Sequence, residues 1–335
     1  AFNWQANIPG STFAWTNNNT SIGLASNGSG NIGAFTALNS SLSTQTAQIS
    51  INATVAGCTG PTQVVSITVY PTPQIQAPSN QVLCSGANTS TVIFSGQPTG
   101  NTFNWQNNNP AIGLAASGSG NIASFTATNT SNIPDTAVLS FTATNNGCIS
   151  NSITFEIIVL PLPTLGLPAN DTLCHAESYP GVLFSNPNNV ANTFYIWTND
   201  NPSIGLPSNG AGQGLPGFTS NNLGSNLIFA TISVQASAAG CLSTPSSFQI
   251  GVNPNPLVLP QGPFYYCNGS QSQSIVPQSN VSGASFNWSL DLATIGLNQT
   301  QGTGSIPGFT VLNTSAQPIT GNFNFTATYS SCVGP

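Results

Sequence analysis

Short runs in which apolar and polar residues alternate recur along the whole chain and predict β-strands. A clear set comprises residues 91–94, 102–105, 123–128, 137–144 and 153–159. A period of two residues places one face of a strand in a core and the other in solvent. Clusters of Gly, Asn and Pro separate the runs, and no stretch has the 3.6-residue period of an amphipathic helix. The pattern predicts an all-β chain with about seven short strands in each segment of about 90 residues.

The same phrase, a tryptophan followed by Ile-Gly-Leu, occurs four times along the chain. The tryptophans are Trp15, Trp105, Trp197 and Trp288, and the triplets begin at Ile22, Ile112, Ile204 and Ile295. Segments of the form Val-x-Pro-x-Pro begin at Val69, Val159 and Val252. A unit of this length favours an independently folding β-sandwich. We predict four repeats, numbered 1 to 4, at residues 1–73, 74–163, 164–256 and 257–335, and we expect repeat 1 to lack its opening strand and repeat 4 its closing strand.

Each tryptophan is predicted to lie on a central strand and to fill the core of its sandwich. The phrase that follows it, "NNNPAIGL" in repeat 2, is predicted to turn a corner and place Ile and Leu in the core, and "GSGNI" is predicted to be a second turn. Two interpretations of the repeated asparagines remain open. They are repeated because every copy needs the same core, or the asparagine-rich corner is a repeated ligand site.

Charged side chains are almost absent from the sequence. The chain has no Lys or Arg, six Asp and Glu residues, one His and 2% charged residues, against about a quarter in an average globular domain. Without cations the chain cannot neutralise phosphates, so nucleic-acid binding is excluded, as is attraction to anionic lipid. No apolar segment is long enough to insert into a membrane. The start of the chain contains no signal peptide, and we expect a segment of a longer precursor.

The seven cysteines occupy two kinds of position. Cys84, Cys174 and Cys267 open a repeat, and Cys58, Cys148, Cys241 and Cys332 close one. We predict the pairs Cys84–Cys148, Cys174–Cys241 and Cys267–Cys332, with the partner of Cys58 upstream of the segment. A competing scheme joins each closing cysteine to the next opening one, but a whole strand would separate the two, and bridged Cα atoms lie within about 7 Å. Disulfides indicate an extracellular, secreted protein.

No catalytic, cofactor or metal site is predicted. The acidic residues recur at no position common to all four repeats, and there is no C-x-x-C pair. Asp171, His175 and Glu177 cluster around Cys174, where a local acid–imidazole site competes with a solvated loop beside a disulfide. We favour the loop, because no third catalytic partner or oxyanion donor is nearby in the sequence. Zinc needs about four such ligands in one place. The chain is predicted not to be an enzyme.

With these residues in hand, the repeats resemble the PKD-like, immunoglobulin-like repeats of large secreted surface proteins of Bacteroidota, which include adhesins and gliding-associated proteins. The residues that carry the resemblance are "VLCSG", "TFNWQNNNPAIGLAASGSGNIASFTATNT", "NNGC" and "FEIIVLPLP". The resemblance covers essentially the whole chain and implies a tandem array of Greek-key β-sandwiches displayed on the cell surface. Asn replaces the Asp-Gly-rich motif that follows Trp in PKD domains proper. The same resemblance makes Thr136 and Thr172 candidate O-glycosylation sites, because each follows Asp and precedes an aliphatic residue.

The function predicted from the sequence is structural. We expect a segment of an extracellular rod, filament or adhesin stalk on a bacterial surface, whose partners are neighbouring repeats or subunits of the same protein. If a strand is missing at each end, a neighbour could supply it by strand addition. The alternative is a glycan- or surface-binding module that uses Trp4, Tyr265 and Tyr266 as exposed aromatic platforms. Two observations argue against it: these residues lie outside the repeated positions and do not recur.

Overall fold

A computed structural model describes all 335 residues of the protein, and the prediction of an all-β fold is confirmed. Apart from strands, the only regular elements are four 3₁₀ turns of three residues each, at Thr20–Ile22, Pro110–Ile112, Pro202–Ile204 and Ala293–Ile295. No helix has the length and apolar character that crossing a membrane requires. The chain forms two compact units, residues 1–161 and 162–335.

The first unit contains two main sheets. The sheet of repeat 1 is built from β1 (Thr12–Asn17), β2 (Asn27–Ser29), β3 (Gln45–Val55), β4 (Cys58–Thr59) and β5 (Gln63–Val69). Repeat 2 contains β6 (Gln74–Ile75), β7 (Gln81–Cys84), β8 (Gly96–Gln97), β9 (Thr102–Asn107), β10 (Ser117–Ser119), β11 (Asp135–Asn145), β12 (Cys148–Ile149) and β13 (Ile153–Leu160). Its main sheet has the order β10-β9-β11-β13-β7, with β12 on β11. The outermost pair, β13 and β7, is parallel, and the other pairs are antiparallel.

The second unit repeats this plan. Repeat 3 contains β14 (Asp171–Cys174), β15 (Ser178–Tyr179), β16 (Val182–Leu183), β17 (Phe194–Asn199), β18 (Asn209–Gly212), β19 (Gly214–Leu215), β20 (Phe218–Thr219), β21 (Ile228–Ala238), β22 (Cys241–Leu242) and β23 (Ser246–Asn253). Its main sheet has the order β14-β23-β21-β17-β18. Repeat 4 contains β24 (Ser285–Leu290), β25 (Gln301–Thr303), β26 (Phe323–Tyr329) and β27 (Cys332–Val333), in the order β25-β24-β26-β27.

Each repeat has its own hydrophobic cluster, which places the tryptophan of that repeat against the long central strand. The four indoles are at most 7% exposed. Every main sheet and its cluster falls within one of the four predicted residue ranges. The boundaries at residues 73, 163 and 256 stay a prediction.

A glycine opposite each tryptophan makes room for the indole. In repeat 2, Trp105 is paired with Gly118 across β9 and β10, and a Cβ on Gly118 would lie 2.2 Å from the indole ring. Gly28, Gly210 and Gly302 have the same relation to their tryptophans. The "GSGNI" segment is therefore not only a turn, as the sequence suggested. Its first residues form a short strand, and the chain turns afterwards at Gly120, where φ is +69°.

The corner after each tryptophan strand is a 3₁₀ turn. In repeat 2 the Asn109 side chain accepts a hydrogen bond from the backbone N–H of Ala111, and Gly113 ends the turn with φ of 97°. This left-handed conformation favours glycine because it has no Cβ. The turn buries Ile112 completely.

The second layer of each sandwich is less regular than the sequence predicted. Residues 91–94 and 123–128 form no strand in repeat 2, and only isolated bridges join Val92 to Ile122 and Asn88 to Thr126. Side chains replace part of the ladder here. The N–H of Phe94 donates to Asn121 Oδ1, and the N–H of Phe125 donates to Thr89 Oγ1. Bonds of this kind satisfy the backbone without a partner strand.

Candidate functional site: asparagine corner, acidic loop and cysteines

The asparagine two residues after each of the first three tryptophans is buried and fully used inside its own repeat. Asn107 is 6% exposed, and its Nδ2 donates to the carbonyls of Leu114 at 3.0 Å and Ala115 at 3.3 Å. Its Oδ1 accepts from the N–H of Asn109 at 3.0 Å. Asn17 and Asn199 make the equivalent three bonds. In repeat 4 the position is Leu290, which is also buried.

The residue directly after this position connects the corner to the central strand by a hydrogen bond. It is Asn in some repeats and Asp in others. Oδ1 of Asn108 accepts from the N–H of Val138 at 2.8 Å. Oδ1 of Asp200 accepts in the same way from Thr231, and that of Asp291 from Asn322. Two of the six acidic residues are thus structural acceptors in positions where the other repeats have asparagine.

Asp291 is the one acidic residue with a clear electrostatic perturbation. Its Oδ2 accepts a hydrogen bond from the side-chain amide of Asn322 at 2.7 Å. Hydrogen bonds from the Asn322 side chain and then from its backbone lower the pKa of the Asp291 carboxyl below its ordinary value. The cause is stabilisation of the charged form by donors, and no catalytic partner is involved.

A second asparagine, Asn129 in repeat 2, lies near the start of the loop that precedes the central strand. It connects this loop to the closing strand. Nδ2 of Asn129 donates to the carbonyls of Ile133 at 2.8 Å and of Val159, on the closing strand β13, at 2.7 Å. Its Oδ1 accepts from the N–H of Ser131 at 2.8 Å. Asn39 and Asn222 make the equivalent bonds to Val69 and Val252. The side-chain oxygens and nitrogens of Asn107 and Asn129 are therefore occupied by groups of their own repeat. Asn108 of the corner is exposed, and a repeated ligand site at the corner stays a hypothesis.

The acidic loop around Cys174 is a hydrogen-bonded turn. Oε2 of Glu177 accepts from the N–H of Cys174 at 2.7 Å, and Nδ1 of His175 accepts from the N–H of Asn222 at 3.0 Å. In repeat 2, Ser85 Oγ receives the equivalent bond from Asn129. Asp171 binds the N–H of its neighbour Thr172. The imidazole therefore substitutes for a structural hydroxyl, and His, Cys, Asp and Glu form no group of three or more that could hold a metal ion.

The predicted disulfide pairs are wrong. Cys174 of repeat 3 is bonded to Cys332 of repeat 4, with an S–S distance of 2.07 Å and Cα atoms 5.5 Å apart. Cys84 and Cys241 are also disulfide-bonded, whereas Cys58, Cys148 and Cys267 have free thiols. Since Cys148 and Cys267 are free, the pairs Cys84–Cys148 and Cys267–Cys332 are absent, and Cys174–Cys241 is excluded by the observed bond. The competing scheme also fails, because it would pair Cys148 with Cys174.

The closing strand explains why an opening and a closing cysteine of one repeat cannot meet. Cys84 is paired with Leu160 at the far end of β13, whereas Cys148 comes five residues before its first residue, Ile153. Eight residues of strand span about 26 Å, well beyond the roughly 7 Å that a disulfide allows between Cα atoms. A strand's length therefore separates the two cysteines of one repeat as well, because β7 pairs in parallel with β13.

The remaining sequence candidates are distributed over the two units. Thr136 and Thr172 are both exposed on strands of different units. Trp4 is half-buried and packs against the hydrophobic cluster of repeat 1. Tyr265 is 88% exposed and Tyr266 is 38% exposed, both in repeat 4. The three aromatic residues proposed as a platform are thus divided between two units, and one of them is part of a core.

No protein-family model matches the chain, and no curated protein matches it. Among solved structures, the human desmocollin-1 ectodomain aligns over 99% of this chain and 75% of its own, at 12% identity with a TM-score of 0.29. The insect immune protein hemolin aligns over 98% and 91%, at 12% identity and 0.28. Drosophila N-cadherin EC1-4 aligns over 97% and 90%, at 14% identity and 0.27. TM-scores and sequence identities this low support no inference about the function of this chain.

The fold identifies the class of protein to which the chain belongs. The four Trp-centred sheets, their second layers and the repeated corners make the chain a tandem array of immunoglobulin-like β-sandwich repeats. Disulfides in such repeats are typical of secreted and extracellular proteins.

Proposed function

We propose that the chain is a structural, non-catalytic segment of an extracellular rod, filament or adhesin stalk on a bacterial surface. The observation that carries the proposal is the bond between Cys174 and Cys332. It ties two consecutive repeats covalently, as suits a chain of modules that must stay together outside the cell. The resemblance to surface proteins of Bacteroidota supports the bacterial source and the assignment to adhesins or gliding-associated proteins.

The hydrogen-bonding chemistry of the repeats supports the same proposal. Asparagine amides and backbone groups hold the corners, and the chain has no Lys or Arg with which to form ion pairs. Salt screens interactions between charges, so a scaffold held by neutral hydrogen bonds and apolar contacts keeps its stability when the ionic strength outside a cell changes. The buried corner side chains Asn17, Asn107 and Asn199 bond to groups of their own repeats, which agrees with a role in support.

Electron microscopy of the purified full chain tests the proposal. We expect elongated particles with bead-like repeats, and compact globules would contradict a rod. Alkylation of the unreduced protein followed by mass spectrometry tests the oxidised state independently. Cys58, Cys148 and Cys267 should react and the other four cysteines should not, whereas seven reactive thiols in material isolated from its source would contradict an extracellular location.

Surface glycosylation is a further part of the proposal. Thr136 and Thr172 follow Asp135 and Asp171 in the sequence. Because both threonines are exposed, a glycosyltransferase can reach their hydroxyls. Glycopeptide mass spectrometry of native material should find sugar on one or both. Unmodified peptides at both positions would contradict the proposal that Thr136 and Thr172 are glycosylated.

A glycan- or surface-binding module remains the second candidate, and the exposure of Tyr265 favours it. Exposed aromatic rings can stack against sugars. Glycan-array binding that is lost in Tyr265→Ala but kept in Trp4→Ala would support this function, and an array without any binding would remove it.

A further inference from the structure

The Val-x-Pro-x-Pro segment between repeats 3 and 4 lies against the repeat that follows it. Residues 252–256 continue from the end of β23, and Pro254 and Pro256 are both buried. Proline fixes its own φ and drives the residue before it to an extended conformation, so this linker is straight before it meets any partner. A Cβ on Gly334 of repeat 4 would overlap the carbonyl oxygen of Pro256. The linker is therefore packed closely against repeat 4.

A side chain of repeat 4 binds this linker at two points. Oδ1 of Asn280 accepts a hydrogen bond from the N–H of Leu257 at 2.7 Å, and its Nδ2 donates to the carbonyl of Asn255 at 3.4 Å. The carbonyl comes directly before Pro256 and the N–H directly after it. Since proline has no N–H of its own, one amide side chain bonds to the backbone on both sides of it, as a neighbouring strand would.

Equivalent contacts hold the corresponding segment in the other repeats. In repeat 3, Nδ2 of Asn188 donates to the carbonyl of Leu162 at 2.8 Å, and its Oδ1 accepts from the N–H of Thr164 at 3.0 Å. These two groups lie on either side of Pro163, which is buried. In repeat 2 the asparagine is replaced by a backbone ladder, because β6, which follows Pro73, pairs with β8. The end of the linker thus belongs to the repeat that it enters.

The disulfide fastens the same two repeats at a second place. Cys174 is paired with Asn253, the last residue of β23, so its bond to Cys332 is made where the linker leaves repeat 3. The first unit has the same arrangement without a covalent bond. Sγ of Cys148, the counterpart of Cys332, lies 4.0 Å from the carbonyl oxygen of Tyr70, the counterpart of Asn253. In each unit, the closing cysteine of one repeat meets the end of the closing strand of the repeat before it.

We propose that the junction between repeats 3 and 4 is a rigid joint and not a hinge. A single flexible linker allows two domains to bend and rotate. Here Asn280 and Gly334 fix the linker, and the disulfide holds Cys332, so attachments on separate elements of repeat 4 remove this freedom. The prolines reduce the entropy that fixing the linker costs. The inference goes beyond the proposed function, because a string of freely turning repeats would serve as a stalk too.

Pulsed electron paramagnetic resonance on the full chain measures the freedom of this joint. Spin labels are attached through Ser247→Cys on β23 and Ser289→Cys on β24, since both serines are exposed. The three free cysteines are first replaced by serine: Cys58, Cys148 and Cys267. We expect one narrow distribution of distances between the two labels. A broad distribution, or several separate distances, would overturn the proposal.

A pair of variants separates the linker contacts from the disulfide. Replacing Cys174 and Cys332 by serine should leave the distribution narrow, because the linker contacts remain. In that background Asn280→Ala should broaden it, and amide hydrogen exchange at Leu257 should become about fivefold to tenfold faster, the equivalent of one lost hydrogen bond. Asn298→Ala is the matched control, because Asn298 is exposed in the same repeat, and it should change neither measurement.

Three results with these variants would also overturn the proposal. The first is a broad distribution when the disulfide alone is removed, and the second is equal widths for the two asparagine variants. The third is broadening accompanied by faster exchange throughout β24 and β26, which would show that Asn280 supports the fold of repeat 4 and not the joint. Elongated particles in electron microscopy together with a broad distance distribution would keep the rod and reject the rigid joint, so the two failures can be distinguished.

Discussion

Cys174 and Cys332 are 158 residues apart in the sequence and are joined by a disulfide, with their Cα atoms 5.5 Å apart. Cys174 is the last residue of β14 in repeat 3, and Cys332 begins β27 in repeat 4. The bond therefore closes a covalent loop that contains most of two consecutive repeats. It is a link between modules and not a staple within one module.

Replacing both of these cysteines by serine should destabilise residues 162–335 strongly. Closing a loop of this length reduces the entropy of the unfolded chain by the equivalent of about 5 kcal/mol. We expect a clear fall in the melting temperature of this unit by differential scanning calorimetry. Cys267→Ser is the matched control, because Cys267 is exposed and free and its replacement should change little. Equal melting temperatures for the double variant and the control would contradict the observed pairing.

The repeat pattern explains why the fold class could be predicted and the disulfides could not. Alternation of apolar and polar residues along much of 137–144 and 153–159 predicts which face of a strand is buried, and these residues are in β11 and β13. The cysteine partners depend on which strands are neighbours in space, and the parallel pairing of β7 with β13 leaves no local trace in the sequence. Asn107 belongs to the repeated corner that the sequence shows, but its burial depends on the carbonyls of Leu114 and Ala115, which only the folded corner places around it.

Substitution of the glycine opposite a tryptophan should damage the core. In Gly28→Ala, the new Cβ would lie 2.2 Å from the Trp15 ring, and the rigid indole has to move. Overpacking of this kind costs about 1–3 kcal/mol. Gly33→Ala is the matched control in the same repeat, because a Cβ there meets nothing within 4 Å. Chemical denaturation followed by tryptophan fluorescence should separate the two variants, and equal midpoints would argue against the close Gly–Trp packing.

Loss of the buried corner asparagine should destabilise its repeat without changing the surface. Asn107→Ala leaves the carbonyls of Leu114 and Ala115 and the N–H of Asn109 without their partner, at a cost of about 1–3 kcal/mol. Asn104 lies on the same strand, β9, but is exposed, so Asn104→Ala should be nearly neutral. Hydrogen exchange at residues 108–116 is the direct measurement. Faster exchange in Asn107→Ala alone is expected, and similar exchange in both variants would show that the corner does not depend on this side chain.

Asp291 should make repeat 4 sensitive to acid. Donors from Asn322 lower the pKa of this carboxyl in the folded state. Its stabilising contribution is therefore complete above the unfolded-state pKa, near about 3.9, and is lost as the pH falls through the lower folded-state value. Asp291→Asn removes the titration but can keep the Oδ1 bond, as Asn108 does in repeat 2. Melting temperatures measured from neutral pH to about pH 2 should fall more steeply for the wild type than for the variant, since protonation changes only the former at this position. Parallel curves over that range would show that the Asp291–Asn322 interaction contributes nothing to stability.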